Sequence, residues 1–143
     1  MINVNFYNLN SVEDNKLKFA VIMSRFKEKW IYVKHKERNT WEIPGGHRED
    51  GESIDEAASR ELFEETGAKE FKLVPVCVYA VERGDESNYT ESFGQLFYAE
   101  IDEVNELPGF EIEKIELFND IPTELTYPLI QPFLHDRVLE FIR

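Results

Sequence analysis

The stretch from Gly45 to Ala68, GGHREDGESIDEAASRELFEETGA, carries the pattern from which the rest of the chain can be interpreted. Eight of its 24 residues are Asp or Glu. Ser53 and Glu56 have the S-x-x-E spacing of a helix capping box, and Gly67 is the residue type that commonly ends a helix in a left-handed conformation. The pattern therefore predicts a helix of about 13 residues that begins at Ile54 and stops at Gly67.

Three carboxylates share one face of this predicted helix. At about 100° per residue, Glu61, Glu64 and Glu65 fall within an arc of about 100°. An acidic helix face is usually a solvated face, and such a face should lie opposite the apolar stripe. Here the residues that flank the carboxylates are apolar, namely Ala57, Ala58 and Leu62, and Phe63 is the one apolar residue of the helix that opposes this pattern.

A compensating cation would make this arrangement favourable. Like charges at helical neighbour spacing cost roughly 0.2 to 0.5 kcal/mol per pair in water, and more when they are partly buried. Carboxylate ligands favour a hard ion such as Mg2+, Mn2+ or Ca2+ over zinc, and the absence of an EF-hand loop pattern disfavours calcium. Arg60 precedes Glu64 by four residues and adjoins Glu61, so its guanidinium is suited to orienting a carboxylate.

The composition fits one globular domain over residues 1–143. Hydrophobic residues make up 42% of the chain, and the formal net charge is -13. The charge is uneven, because residues 1–48 carry nine Lys or Arg and five Asp or Glu, whereas residues 49–143 carry seven and 24. A surface this acidic gains nothing from counterion release, which argues against binding to a nucleic-acid polymer.

Nothing in the sequence indicates secretion or membrane insertion. Cys77, the single cysteine, lies in an apolar run and is expected to be a buried thiol. The amino terminus lacks a basic start and an apolar core, and no apolar run approaches the roughly 20 residues of a membrane span. We therefore expect a soluble, cytoplasmic protein.

Runs of branched and aromatic residues mark the predicted strands. These runs are 16–25, 29–34, 71–83, 91–101 and 114–118, with a short extended piece at 41–43. The polar turn FKEK suggests that the first two form a hairpin. Helical spacing near the end of the chain predicts a helix that starts at Thr126 or Gln131, with Pro132 in its first turn. The order of strands, helix, strands and helix favours an α/β fold, a mixed sheet with helices on its faces.

The same acidic stretch resembles a known family signature. Gly46, five residues, Glu52, seven residues and then RELFEETGA from Arg60 to Ala68 are similar to the signature of the Nudix hydrolases, G-x5-E-x7-R-E-U-x-E-E-x-G-U, where U is a bulky aliphatic residue. Every fixed letter matches, which would occur by chance at on the order of 1 in 10^8 starting points. The departure is Ala68, which is smaller than the usual U and affects local packing rather than chemistry. The resemblance implies an α/β/α sandwich.

The resemblance also implies a reaction. Nudix enzymes cleave a nucleoside diphosphate linked to another group, with water attacking phosphorus and Mg2+ or Mn2+ bridging protein and phosphates. Carried over by position, it implies that Arg60 orients a carboxylate and that the remaining roles fall to the metal ligands Glu61 and Glu65, the ligand or base Glu64, the accessory acid Glu52 and the carbonyl of Gly45. We expect the repulsion within the carboxylate cluster to be relieved only when a metal binds.

Further site residues are expected outside the signature. The family often takes its general base from another loop, for which Glu111 is the first candidate, with Glu106 and Glu113 behind it; each is alternatively plain surface charge. A basic run could contact substrate phosphates, or it could be a solvated hairpin. Its members are Arg25, Lys27, Lys29, Lys34, Lys36 and Arg38.

The aromatic side chains and the histidines have different expected places. Four aromatic residues could stack on a nucleobase or could pack in the core, namely Tyr32, Trp41, Tyr79 and Phe97. The histidines are scattered along the chain and are expected to be surface residues; they are His35, His47 and His135.

The substrate is the least determined feature. A short single-domain chain most resembles the MutT-like branch, which favours nucleoside triphosphates, oxidised purine forms included, and releases a monophosphate and pyrophosphate. Dinucleoside polyphosphates, nucleotide sugars and capped RNA ends stay open, and the acidic surface disfavours RNA. A module that senses a nucleotide without hydrolysis is the alternative class, followed by an isomerase or interaction protein of the same fold. A homodimer is left open.

Overall fold

A mixed sheet with two helices makes up the computed structural model, which describes residues 1–109 and 111–143. The strands are β1 (Ile2–Tyr7), β2 (Leu17–Phe26), β3 (Lys29–His35), β4 (Gly45–His47), β5 (Ala68–Arg83), β6 (Thr90–Val104) and β7 (Ile112–Phe118). The helices are α1 (Ile54–Thr66) and α2 (Gln131–Ile142), and a 3-10 turn spans Asp14–Lys16. Neither α1 nor α2 is long and apolar enough to cross a membrane.

The sheet has the order β1-β5-β6-β2-β3-β7, with β4 paired to β2. Strands β2 and β6 run parallel, and the other neighbouring pairs are antiparallel. The parallel pair lies at the centre, and the chain between its two strands includes α1 and the long β5. This arrangement brings β4, the short strand before α1, to the edge of β2.

The two helices cover opposite faces of the sheet. Helix α1 buries Ala57 and Leu62 in one apolar cluster, together with Ile22 and Phe97 of the central strands. Helix α2 buries Leu134 and Val138 in the second cluster. The sheet residues of that cluster, such as Met23 and Leu96, alternate along the strands with those of the first. The predicted mixed α/β sheet with helices on its faces is therefore confirmed.

Helix α1 begins and ends where the sequence predicts. The Ser53 hydroxyl accepts a hydrogen bond from the Glu56 N–H at 3.0 Å, and the Glu56 carboxylate accepts one from the Ser53 N–H at 2.8 Å. Gly67 adopts a left-handed conformation with φ of 77°. Ala68 is buried in the core at 1% exposure, so the small residue at this signature position lies where the strand meets the helix.

Strand β1 and the burial of His135 differ from the expectations, and two other features of the chain can now be placed. Strand β1 was not predicted, because INVNFY is short and contains two Asn. Of the two predicted starts of the second helix, Thr126 and Gln131, the structure confirms Gln131. The extended piece at 41–43 forms only isolated bridges. His135 is 1% exposed rather than a surface residue, because α2 packs its ring against Trp30 at 5.6 Å and beside the Tyr32 hydroxyl.

Candidate active site

A cavity of about 580 Å3 opens where β4 meets α1. Its wall includes the carboxylates of Glu61 and Glu65 from α1 and the backbone of Gly45 and Gly46 from β4. Glu111, just before β7, lines the same cavity. Acids from two parts of the chain that are distant in the sequence therefore share one concave surface.

Glu65 is the most deeply buried acid of the group. Its side chain is 8% exposed, and its Oε1 accepts a hydrogen bond from the Gly45 N–H at 3.0 Å. Burial raises the pKa of the Glu65 carboxyl to about 8, against the Gly45 hydrogen bond that lowers it, and the charges of Glu61 and Glu42 add to the rise. Without a nearby cation, Glu65 therefore holds a proton near neutral pH.

Glu61 lies against the backbone of β4. A side-chain carbon added at Gly46 would stand 2.6 Å from the carboxyl carbon of Glu61, so only glycine allows this approach. Burial raises the pKa of the Glu61 carboxyl, and the neighbouring Arg60 guanidinium opposes this rise. The glycine of the signature is thus needed for the position of its glutamate.

Arg60 donates hydrogen bonds to three of the acids. Its Nε and Nη2 donate to the two oxygens of Glu52 at 2.6 and 3.0 Å, a bidentate pair that lowers the pKa of the Glu52 carboxyl. Nη1 donates to Glu61 at 2.8 Å and to Glu64 at 3.3 Å. The expectation that only a metal relieves the repulsion is therefore wrong for Glu61 and Glu64, because an internal arginine already relieves part of it.

Comparisons with known proteins agree with this geometry. The family model described as NUDIX domain matches residues 14–135. The chain belongs to the Nudix hydrolase family.

Two curated relatives come from Bacillus subtilis (strain 168). YtkD, whose name describes a candidate 8-oxo-dGTP diphosphatase, is 33% identical over 110 residues, which are 76% of this chain and 66% of YtkD. A second protein with the same candidate activity in its name is 39% identical over 61 residues, 43% of this chain and 40% of that protein. The chain thus spans less than two thirds of the length of either relative.

Solved structures show the same fold. The crystal structure of the Bacillus subtilis pyrophosphohydrolase BsRppH has a TM-score of 0.77 at 25% identity, covering 98% of this chain and 90% of that chain. A MutT NUDIX hydrolase from Burkholderia pseudomallei has a TM-score of 0.63 at 20% identity, covering 84% and 95%. The fold class is therefore that of the Nudix hydrolases.

The Nudix signature residues separate into two groups in the structure. Glu61 and Glu65 line the cavity, with Gly45 beside them. Glu52 and Glu64 are not among the cavity-lining residues of the described chain, and both bind Arg60. We infer that the first pair is better placed to contact a ligand than the second, although the roles of all four stay predictions.

The candidates outside the Nudix signature also separate. Glu111 and Arg38 line the cavity. Within the described residues, the other named candidates for base and phosphate contact are absent from the cavity wall: Glu106, Glu113, Arg25, Lys27, Lys29, Lys34 and Lys36. Lys34 instead pairs with Glu113 at 3.1 Å, and the Arg25 guanidinium lies 5.3 Å from the Trp30 ring centroid.

The aromatic candidates fall mostly in the core. Tyr79 lines the cavity, whereas Tyr32 and Phe97 are fully buried in the two apolar clusters. Trp41 packs edge-on against Phe118 at 5.3 Å. Of the four, only Tyr79 remains placed for contact with a base.

Sequence reasoning missed three charged residues of the cavity wall, Glu42, Glu49 and Arg83, and Glu42 is the most buried of them. Glu42 is 6% exposed and lines the wall that faces the α1 carboxylates. A signal was present, because Glu42 is the one charged residue within the apolar piece WEIP directly before the glycines. An acid at such a position is costly unless it has partners, which were invisible without the fold.

The donor set fits a hard divalent ion. The described residues contain no group of three or more His, Cys, Asp or Glu side chains already arranged to hold a metal, and Arg60 occupies oxygens of Glu61 and Glu64. The available ligands are nonetheless carboxylate and carbonyl oxygens, as Mg2+ and Mn2+ prefer. The raised pKa of Glu65 is that of a buried carboxylate without a cationic partner.

Proposed function

We propose that this chain is a metal-dependent hydrolase that cleaves a pyrophosphate linkage in a nucleoside diphosphate derivative. Its preferred substrates are nucleoside triphosphates, oxidised purine forms included, which it converts to a monophosphate and pyrophosphate. The observation that carries the proposal is the pair of largely buried carboxylates, Glu61 and Glu65, on the wall of one cavity. The names of the two Bacillus subtilis relatives support the choice of substrate class.

The α1 carboxylates would hold the ion. Glu61 and Glu65, with Glu64 and the carbonyl of Gly45, are the ligands that we assign to Mg2+ or Mn2+. When bound, the ion neutralises charge on the phosphates and lowers the pKa of coordinated water.

The chain's own residues supply orientation and proton transfer. Arg60 fixes Glu52 and Glu61 through charged hydrogen bonds, so the carboxylate of Glu61 keeps its orientation towards the cavity. Glu111 lines the cavity and accepts the proton of the attacking water at its carboxylate. Tyr79 lines the same wall and is the residue that we assign to contact with the base, although it is only 5% exposed in the free protein.

The test is a nucleotide panel assayed with Mg2+ for monophosphate and pyrophosphate. The panel contains canonical and oxidised nucleoside triphosphates, dinucleoside polyphosphates, nucleotide sugars and 5′-capped RNA. Turnover of the triphosphates at the highest kcat/KM supports the proposal. Tight nucleotide binding without turnover would support the sensing module instead, and full activity after exhaustive chelation would contradict a metal-dependent reaction.

We extend the proposal to the whole chain. Residues 1–143 act as a single domain, in agreement with the one continuous sheet of the described residues. The protein acts in the cytoplasm, where the buried free thiol of Cys77 stays reduced.

A further inference from the structure

Glu42 has no role in the proposed function, yet it is a buried acid on the cavity wall. Its backbone is fixed by two hydrogen bonds to Val33, one in each direction, both of 2.9 Å. The side chain is 9% exposed and lies close enough to Glu65 to contribute to the raised pKa of that carboxyl. A carboxylate in such a place needs partners that offset its burial.

Both oxygens of Glu42 have nitrogen partners. Oε1 lies 3.1 Å from His35 Nε2, and Oε2 accepts a hydrogen bond from Arg38 Nη1 at 2.5 Å. The Arg38 side chain is still 44% exposed. Because a guanidinium carries five N–H donors and Glu42 engages one nitrogen, donors remain for an anion in the cavity.

Backbone hydrogen bonds hold the turn that carries His35 and Arg38 in place. The Arg38 N–H donates to the His35 carbonyl at 3.1 Å, and the Lys36 N–H donates to the Glu111 carbonyl at 3.0 Å. The turn is therefore tied to the segment that carries the proposed base, Glu111. This connection fixes the turn with Arg38 relative to the site where the reaction is proposed to occur.

The charge of the cavity explains why a basic side chain is needed on its wall. Five acidic side chains line the cavity, and they repel a polyphosphate unless positive charge offsets them; they are Glu42, Glu49, Glu61, Glu65 and Glu111. The proposed metal offsets the charge beside α1. Arg38 lines the same cavity beside Glu42, and Arg83 lines it as well, so positive charge is also available for a different part of the substrate.

We propose that Glu42 is a positioning residue that holds the Arg38 guanidinium for a substrate phosphate away from the α1 carboxylates, with His35 as the second nitrogen partner of the Glu42 carboxylate. The inference rests on the proposed function and deepens it, because the sequence suggested Arg38 only as one of six basic residues and gave no role to Glu42. Glu42 is not assigned as a metal ligand, since both of its oxygens already face nitrogen donors.

The test is a double-mutant cycle of Glu42→Gln and Arg38→Ala, assayed with a nucleoside triphosphate at saturating Mg2+. Arg38→Ala is expected to raise KM about tenfold with kcat within about threefold, the pattern of lost binding that is equal in ground and transition state. Glu42→Gln should raise KM by about three- to tenfold, and the double variant should match Arg38→Ala within about twofold. Glu116→Gln, on an exposed position of β7, is the matched control and should leave both constants unchanged.

Three results would overturn the inference. The first is a fall in kcat of Glu42→Gln at unchanged KM. The second is an increase of about tenfold in the Mg2+ concentration for half activity, which would make Glu42 a ligand. The third is a double variant whose KM effect is the product of the single effects, which would make the residues independent.

Direct binding separates this inference from the proposed function. Calorimetric titration with inorganic pyrophosphate and Mg2+ should show about tenfold weaker binding for Arg38→Ala and a smaller loss for Glu42→Gln. If no nucleotide is hydrolysed but these losses are seen, the proposed function fails and the positioning of Arg38 by Glu42 stands. If nucleotides are hydrolysed while KM and pyrophosphate affinity are unchanged in both variants, the inference about Glu42 and Arg38 fails.

Arg38→Lys keeps the test valid if melting shows that Glu42→Gln does not fold. Lysine retains the charge but cannot bind Glu42 and an anion together through a planar fork. We expect a KM between those of the wild type and Arg38→Ala. A wild-type KM for Arg38→Lys would show that the fork held by Glu42 is unnecessary.

Discussion

Glu61 and Glu65 are one turn apart on α1 but are neutralised differently. Glu61 accepts a hydrogen bond from Arg60 at 2.8 Å, whereas the hydrogen bond to Glu65 comes from the Gly45 backbone N–H at 3.0 Å. A backbone dipole compensates a buried charge less than a guanidinium does. Of the two carboxylates, Glu65 should therefore destabilise the protein more when no metal is bound.

Glu65 should make the stability of the metal-free protein depend on pH. Its folded-state pKa, about 8, lies above the value of 4.5 for an unperturbed glutamate. The folded state therefore binds the proton more tightly, and stability from this group is fully present below pH 4.5 and is lost as pH rises through 8. In chelator, the melting temperature of Glu65→Gln minus that of the wild type should increase as the pH rises from 5 to 9. Parallel melting curves for the two proteins would contradict the assignment.

At the scale of elements, α1 could be predicted because its signals are local. The capping box, the terminal glycine and the carboxylate arc all lie within the stretch from Ser53 to Gly67. Strand β1 and the burial of His135 could not be predicted in the same way, since each depends on partners far along the chain. For the same reason, the signature indicated Glu61 and Glu65, whereas the placement of Glu42 needed the fold.

Helix α2 supplies the other wall of the cavity, and one of its anchors is titratable. Leu134 lines the cavity, and the next residue, His135, is buried with its Nδ1 2.9 Å from the Tyr32 hydroxyl. Its Nε2 has no hydrogen-bond partner among the described residues, and the Asp120 carboxylate lies 3.6 Å away. Burial lowers the pKa of His135, against the opposing effect of Asp120 and Asp136.

This anchor should weaken in acid. A histidine whose folded pKa is lowered must be protonated at a cost, so its contribution is complete above the unperturbed value of 6.5 and is lost as pH falls from there through the folded pKa. Between pH 7 and 5, the wild type should therefore lose more melting temperature than His135→Asn, which keeps a polar side chain without the titration. An equal loss in both proteins would show that His135 is not the titrating group.

At the scale of the whole molecule, the net charge of -13 and the acidic cavity act together. The acids lower the affinity of the empty cavity for an anion and raise its affinity for a divalent cation. We expect the cation to enter with the nucleotide or before it. The single sheet that joins the helices leads us to expect one cooperative unfolding transition.

Metal binding should raise the melting temperature of the whole molecule. A ligand that binds only the native state stabilises it by RT ln(1 + [L]/Kd), so millimolar Mg2+ or Mn2+ should shift the transition upwards without splitting it. Glu65→Gln should reduce the shift, and Glu116→Gln, on the exposed surface of β7, should retain it. An unchanged wild-type melting curve would count against a metal site formed by the free protein.

The central claim is that one face of α1 carries the chemistry, and two acids of that helix test it most directly. Glu65 lines the cavity, whereas Glu56 is exposed and completes the capping box. Steady-state turnover of a nucleoside triphosphate at saturating Mg2+ should fall by about tenfold to a hundredfold in Glu65→Gln, because a charged ligand is lost at nearly constant volume. Glu56→Gln should stay within about threefold of the wild type, since glutamine also fills the capping-box position. Equal losses in the two variants, or wild-type turnover in Glu65→Gln, would contradict the claim.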